Sequence, residues 1–217
     1  MTNKNFGALF SDSLKMYKND FSTIIKIALI LFFIPILLQT IFGALGITIL
    51  AVIFYIIYII TSITATIIIV RRLKTKSKGK FDLVKEFKVS IKSFWGYVGV
   101  SLRTVLFVFL WSLLFIIPGI IKAIQYAFST FLFILEGKGA KQSMVTSRAM
   151  VKGRGWKVFG YIILINLIVS AVYWIIMTIA VVLGAYVYAL IYSILIAIIM
   201  PYGLIFMKNF YDSLKTK

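Results

Sequence analysis

Two stretches without a single Asp, Glu, Lys or Arg dominate this chain: 44 residues from 27 to 70 and 50 residues from 158 to 207. One crossing of a roughly 30 Å hydrocarbon core takes about 20 residues as a helix, so each stretch can cross twice. Of the 217 residues, 62% are hydrophobic and 14% charged, against about 25% charged in a soluble domain. The chain is therefore expected to be a single integral membrane domain, 1–217, made of apolar helices.

The composition also excludes most enzyme chemistry. There is no His and no Cys, which removes thiol nucleophiles, imidazole bases and the usual zinc ligands. None of the six acids, Asp12, Asp20, Asp82, Glu86, Glu136 and Asp212, falls inside an apolar run, so no intramembrane carboxylate can relay protons. No catalytic residue, metal site or cofactor is expected, and the chain reads as a non-enzyme.

The first apolar run divides at Phe42–Gly46 into helices over 22–43 and 47–70. The middle region is less regular. Thr104–Ile121 is uncharged, Lys122 follows, and 13 more uncharged residues run to Leu135. Ile117-Pro118-Gly119 sits between the halves, and Pro and Gly together read as a turn or a sharp break. One kinked helix over 104–135 is the alternative. Lys and Arg collect on the cytoplasmic side of short loops, and here they form four clusters: four in the N-terminal segment up to Lys26, nine over 71–95, six over 136–157 and three in the tail. Only a hairpin at Pro118-Gly119 puts all four on one face.

The expected architecture is thus all-α, with six transmembrane helices in three hairpins and both termini cytoplasmic in the cell membrane. The segments are an interfacial helix 1–21, hairpin 22–70, basic loop and interfacial helix 71–93, hairpin 94–135, basic loop 136–156, hairpin 157–207 and tail 208–217. Helices 3 to 6 are placed at 94–117, 119–135, 157–179 and 186–207. Basic amphipathic helices precede helices 1 and 3, on the spacing of Phe6, Phe10, Leu14, Tyr17 and Phe21 and of Phe81, Val84, Phe87, Ile91 and Phe94. A weaker counterpart over 140–156 precedes helix 5, so the chain reads as a threefold pattern of interfacial helix plus hairpin. Such helices bury an apolar face and attract anionic headgroups.

Candidate contacts for anionic lipid are Arg71, Arg72, Lys74, Lys76 and Arg103. Arg103 lies nine residues past Phe94, about 13 Å along a helix; it either snorkels to the headgroups or lines a cavity. Lys122 is expected at the outer headgroups, and Asp12 and Asp20 are expected to pair with Lys15 and Lys18. Membrane lipid accounts for the formal charge of +18, and nucleic acid is not an expected partner. A homo-oligomer or a membrane partner protein remains open.

The segment from Trp111 to Phe159 carries an ordered series: Ile117-Pro118-Gly119, then Tyr126, Glu136-Gly137, Ser147-Arg148, Lys152-Gly153-Arg154 and Trp156. In that series the chain resembles the integral membrane proteins related to the membrane domain of glycerophosphoryl diester phosphodiesterase. The resemblance covers about 50 residues clearly and the rest by hydropathy. It implies a stand-alone membrane module, because in the fused proteins the diesterase activity belongs to a separate soluble barrel, and it transfers no catalytic residue. The expected function is a scaffold, accessory or lipid-organising module; a small transporter, exporter component or immunity factor against membrane-active peptides is the alternative.

Overall fold

A computed structural model describes residues 4–75 and 81–215. Those residues form helices and no strand, in the order α1 (Phe6–Asn19), α2 (Phe21–Ala28), a π turn (Leu29–Phe33), α3 (Ile34–Ala44), α4 (Thr48–Thr75), α5 (Leu83–Ile91), α6 (Phe94–Leu114), α7 (Ile116–Tyr126), α8 (Ser129–Glu136), α9 (Ala140–Val151), α10 (Gly155–Val182) and α11 (Ala185–Lys215). Six helical stretches are long and apolar enough to cross a membrane: Phe21–Ala44, Thr48–Thr75, Phe94–Leu114, Ile116–Glu136, Gly155–Val182 and Ala185–Lys215. The chain is a multi-pass membrane protein of six such helices in three hairpins.

The outer hairpins turn on glycines at positive φ, Gly46 at 73° and Gly184 at 98°, where a side chain would be strained. The middle hairpin turns elsewhere than expected. Its break is Phe115, in extended backbone at φ −159° and ψ 147°, three residues before Pro118. Pro118 instead occupies the first turn of α7, where a missing N–H leaves no helical hydrogen bond unmade. Gly119 serves close packing: a Cβ there would lie 2.9 Å from the Ser112 Cα and closer still to its side chain. A second interruption, at Ala127–Phe128, separates α7 from α8.

The N-terminal segment, the end of α4, the loop after α8 and the end of α11 meet at one end of the bundle, the basic face. Lys157 Nζ donates to the Lys4 carbonyl at 3.0 Å, Arg72 binds Asp20 at 2.7 Å, and Arg154 donates to the Leu214 carbonyl at 3.1 Å. The main core sits just beneath, where Leu9, Val70, Phe128, Leu132, Val151, Val158, Phe206, Phe210 and Tyr211 pack in one cluster. Helix α6 buries only 6% of its most apolar window, against 39% for Phe21–Ala44, so α6 faces mainly outward.

Short helices, α1 and α5, stand ahead of the first and third long stretches. Asn5 caps α1 and Asp82 caps α5, each accepting from a backbone N–H in the first turn. The packed face of α1 centres on Leu9, Ser13 and Tyr17, leaving Leu14 and Phe21 exposed. Asp12 and Asp20 do not pair with Lys15 and Lys18. Asp12 takes Lys4 at 2.6 Å and Asp20 takes Arg72 from α4, because tertiary packing brings those cations closer than the helix's own.

Candidate functional site

Four isoleucines of α7, Ile117, Ile120, Ile121 and Ile124, recur at helical spacing and so share a face. Across from them α9 presents Val145, Arg148, Ala149 and Lys152 at the same spacing. Gly153, at φ 77°, then turns the chain sharply into Arg154 and the first turn of α10, which adds Trp156, Lys157 and Phe159. These surfaces enclose an open groove of about 1390 Å³. It is larger than the roughly 300–1,000 Å³ of a small-molecule pocket, and it is apolar on one wall and cationic on the other.

The helices are pinned by one side chain. Ser147, fully buried, donates to the Gln125 carbonyl at 2.7 Å and accepts from the Phe128 N–H at 3.2 Å. Those backbone groups flank the break between α7 and α8, where the regular ladder is interrupted. A small hydroxyl at 147 therefore fixes Arg148 over the isoleucine face.

Among the described residues the groove lining holds four cations and no carboxylate. Arg148 and Lys152 are exposed, and among the described residues neither forms an ion pair. Arg154 and Lys157 each donate to a backbone carbonyl; for Arg154 the carbonyl satisfies a donor without cancelling its charge. Trp156, 87% exposed, stands at the rim with an apolar body and a polar N–H, the character of an interfacial anchor.

A second cluster lies on the same face. Glu136, at the end of α8, accepts from the Tyr211 hydroxyl and pairs with Lys215 at 2.9 Å and Lys138 at 2.8 Å. Gly137, at φ 68°, ends α8 in the left-handed conformation that closes many helices. Lys208 pairs with Asp212 at 2.6 Å, and Lys74 donates to the Leu135 carbonyl. The cavity here is about 670 Å³, and its cations are met by acids or carbonyls.

The positions singled out as lipid contacts are thus dispersed. Arg72 is held by Asp20 and Thr23, Lys74 by the end of α8, and Arg71 is half-buried in the last turns of α4. Arg103 is exposed on α6 and belongs to neither cavity's lining. Lys76 lies outside the described residues. The ordered series instead supplies the groove: Ile117, Arg148, Lys152, Gly153, Arg154 and Trp156 line it, Pro118 and Gly119 set the hairpin, and Ser147 pins it. Tyr126 closes α7, half-buried. Lys122 lies under the Trp111 ring, 4.7 Å from its centroid, and close enough to Arg148 for their charges to repel.

Among the described residues no three acids converge into a set that could hold a metal. No family model, curated protein or solved structure matches the chain.

Proposed function

We propose that this chain is a non-enzymatic membrane module that holds anionic phospholipid at its basic face, acting as a scaffold or lipid-organising accessory in the cell membrane. The observation that carries the reading is the groove: four cations without a carboxylate, set over a wall of isoleucine. A phosphate headgroup meets the charges of Arg148, Lys152, Arg154 and Lys157, while acyl chains lie on Ile117, Ile120, Ile121 and Ile124. Acyl contacts are exchangeable with bulk lipid, which is as apolar as the wall. Selection among lipids therefore comes from the cations, each worth about 1 kcal/mol beside an anionic surface and screened by salt. The charge distribution supports a cytoplasmic basic face with both termini on that side. The resemblance of Trp111–Phe159 to a diesterase membrane domain fits a module of this kind.

The test is lipid retention. Protein extracted in mild detergent and analysed by native mass spectrometry is expected to carry anionic phospholipid enriched over its share of the membrane. Replacing Arg148 and Lys152 by Gln removes two charges, about 2 kcal/mol, and should lower that enrichment about thirtyfold at low salt. Equal retention of neutral and anionic lipid by the parent protein would sink the reading.

A further inference from the structure

All six long helices have the length and composition of a span; how deep each sits depends on what it packs against. In the outer hairpins the charged boundary is marked by Arg71, Lys157 and Lys208, which close the charge-free runs. From Val70 back to Thr48, α4 extends about 33 Å at 1.5 Å per residue. From Lys157 to Val182, α10 extends about 38 Å. Both exceed a hydrocarbon core of about 30 Å.

The middle hairpin is anchored differently. Phe128 packs on Phe210 and Tyr211, with ring centroids 5.6 and 6.2 Å apart, and those rings lie beyond Lys208 on the charged side. Leu135 is tied to Lys74, beyond Arg71. Helix α8 therefore sits at or above the boundary, and only residues 116–127 lie below it, about 18 Å of helix. The other leg agrees. Gly96 abuts Phe133 and Ser112 abuts Gly119, and interpolating between these contacts sets Arg103 opposite Ala127, at the same boundary. Below Arg103, α6 has 11 residues to Leu114, about 16 Å.

Helix α9 supports the same level independently. It carries Lys141, Gln142, Arg148 and Lys152 yet lies along α7, with Ser147 bonded at Gln125. A helix that polar belongs among headgroups, and so does the end of α7 that Ser147 touches.

We propose that the middle hairpin is re-entrant: it enters the leaflet on the basic side, turns near the bilayer centre and returns. The partner that its surface fits is the acyl region of that one leaflet. Phe115, Ile116 and Ile117 at the tip are 75%, 76% and 71% exposed. A turn in lipid must satisfy its own backbone, and this one nearly does. The Phe115 N–H donates to the Trp111 carbonyl, its carbonyl accepts from the Gly119 N–H, and Pro118 has no N–H to leave stranded. Lys122, about 9 Å below Phe128, sets its ammonium against the Trp111 ring, 4.7 Å from the centroid. This inference rests on packing levels and not on the lipid-holding reading.

The chain has no cysteine, so single-Cys variants of the full protein in oriented proteoliposomes test it. Leu183→Cys should react with an impermeant maleimide from the bare side and Lys138→Cys from the basic side. Phe115→Cys and, as a second variant, Leu114→Cys should react at least tenfold more slowly from either side. A nitroxide on the same cysteines should relax with oxygen more than with a water-soluble nickel chelate, as at the bilayer centre. Reaction of Phe115→Cys from the bare side at the Leu183→Cys rate means a full crossing and overturns the proposal. Reaction from the basic side means a hairpin lying on the surface and overturns it equally.

Discussion

The basic face holds two cationic clusters built from the same residue types and ending in different states. Around Glu136, Lys138, Lys215 and the Tyr211 hydroxyl converge on one carboxylate, and Lys208 takes Asp212. In the groove, Arg148 and Lys152 face open space beside isoleucines. The difference follows from supply: beyond Glu86 the chain has only two acids, Glu136 and Asp212, and the first cluster uses both. Charge density therefore does not mark a ligand site on this face. The local balance of cation against carboxylate separates the two: it makes the Glu136 cluster a fastening between α8 and α11 and, on the reading proposed above, leaves the groove to take an external anion.

Removing the carboxylate should break that contrast with the largest effect. In Glu136→Ala, Tyr211, Lys138 and Lys215 lose a common acceptor that is only 19% exposed, and a loss of about 2–3 kcal/mol is expected. Thermal unfolding in detergent should shift down by about 5–10 °C, with groove lipid retained; an unchanged Tm would reduce the cluster to ordinary surface pairing. The converse substitution sharpens the comparison. Lys152→Glu gives Arg148 a carboxylate four residues away, making the groove resemble the Glu136 cluster. Retained anionic lipid should fall about thirtyfold, while Tm moves by no more than about 2 °C. If retention is unaffected, the groove cations do not select lipid.

The smallest effect belongs to a pair outside both clusters. The Lys4 ammonium, hydrogen-bonded to Asp12, holds that carboxyl below its usual range. A depressed carboxylate contributes above its unfolded pKa, and the contribution is lost as pH falls through the folded value. With Asp12 38% exposed, screening leaves about half a kcal/mol or less. Asp12→Asn should therefore lower Tm by at most about 2 °C at pH 7, by less as pH falls below the ordinary carboxylate range toward the depressed value of Asp12, as differential scanning would register.

The spans were readable in the sequence because charge-free runs are long and cannot be mistaken for loops. The hairpin break was misplaced by three residues for a local reason: Pro118 reads as a breaker by composition, yet in a first turn it breaks nothing, and Phe115 carries no sequence signal of its extended backbone. The groove was half legible. Arg148 and Lys152 share a helix face by spacing, and the lack of any acid between Glu136 and Asp212 already implies uncompensated charge there. What sequence spacing could not supply was the isoleucine wall. That juxtaposition depends on Ser147 bridging the α7–α8 break and on Gly153 turning the chain, both tertiary matters. The partners that Arg72 and Lys74 take, Asp20 and the Leu135 carbonyl, are distant in sequence and so do not show in its spacing.

The π turn at Leu29–Phe33 corrects a phase error. Ile24, Ala28, Phe32 and Ile36 are all buried at intervals of four, and in an unbroken α-helix each such step overshoots a full rotation by about 40°. Over three steps the stripe would wander by about 120°, leaving Ile36 well off the side that Ile24 occupies. The π turn, in which the Ile34 N–H reaches back five residues to the Leu29 carbonyl, lodges one surplus residue and unwinds about 100° of that drift. Removing any one residue between Leu29 and Phe33 would let the helix run regularly with Ile36 still about 20° from the side of Ile24, whereas a regular helix that kept every residue would swing the whole of α3 around its axis and face Ile36 away from its neighbours.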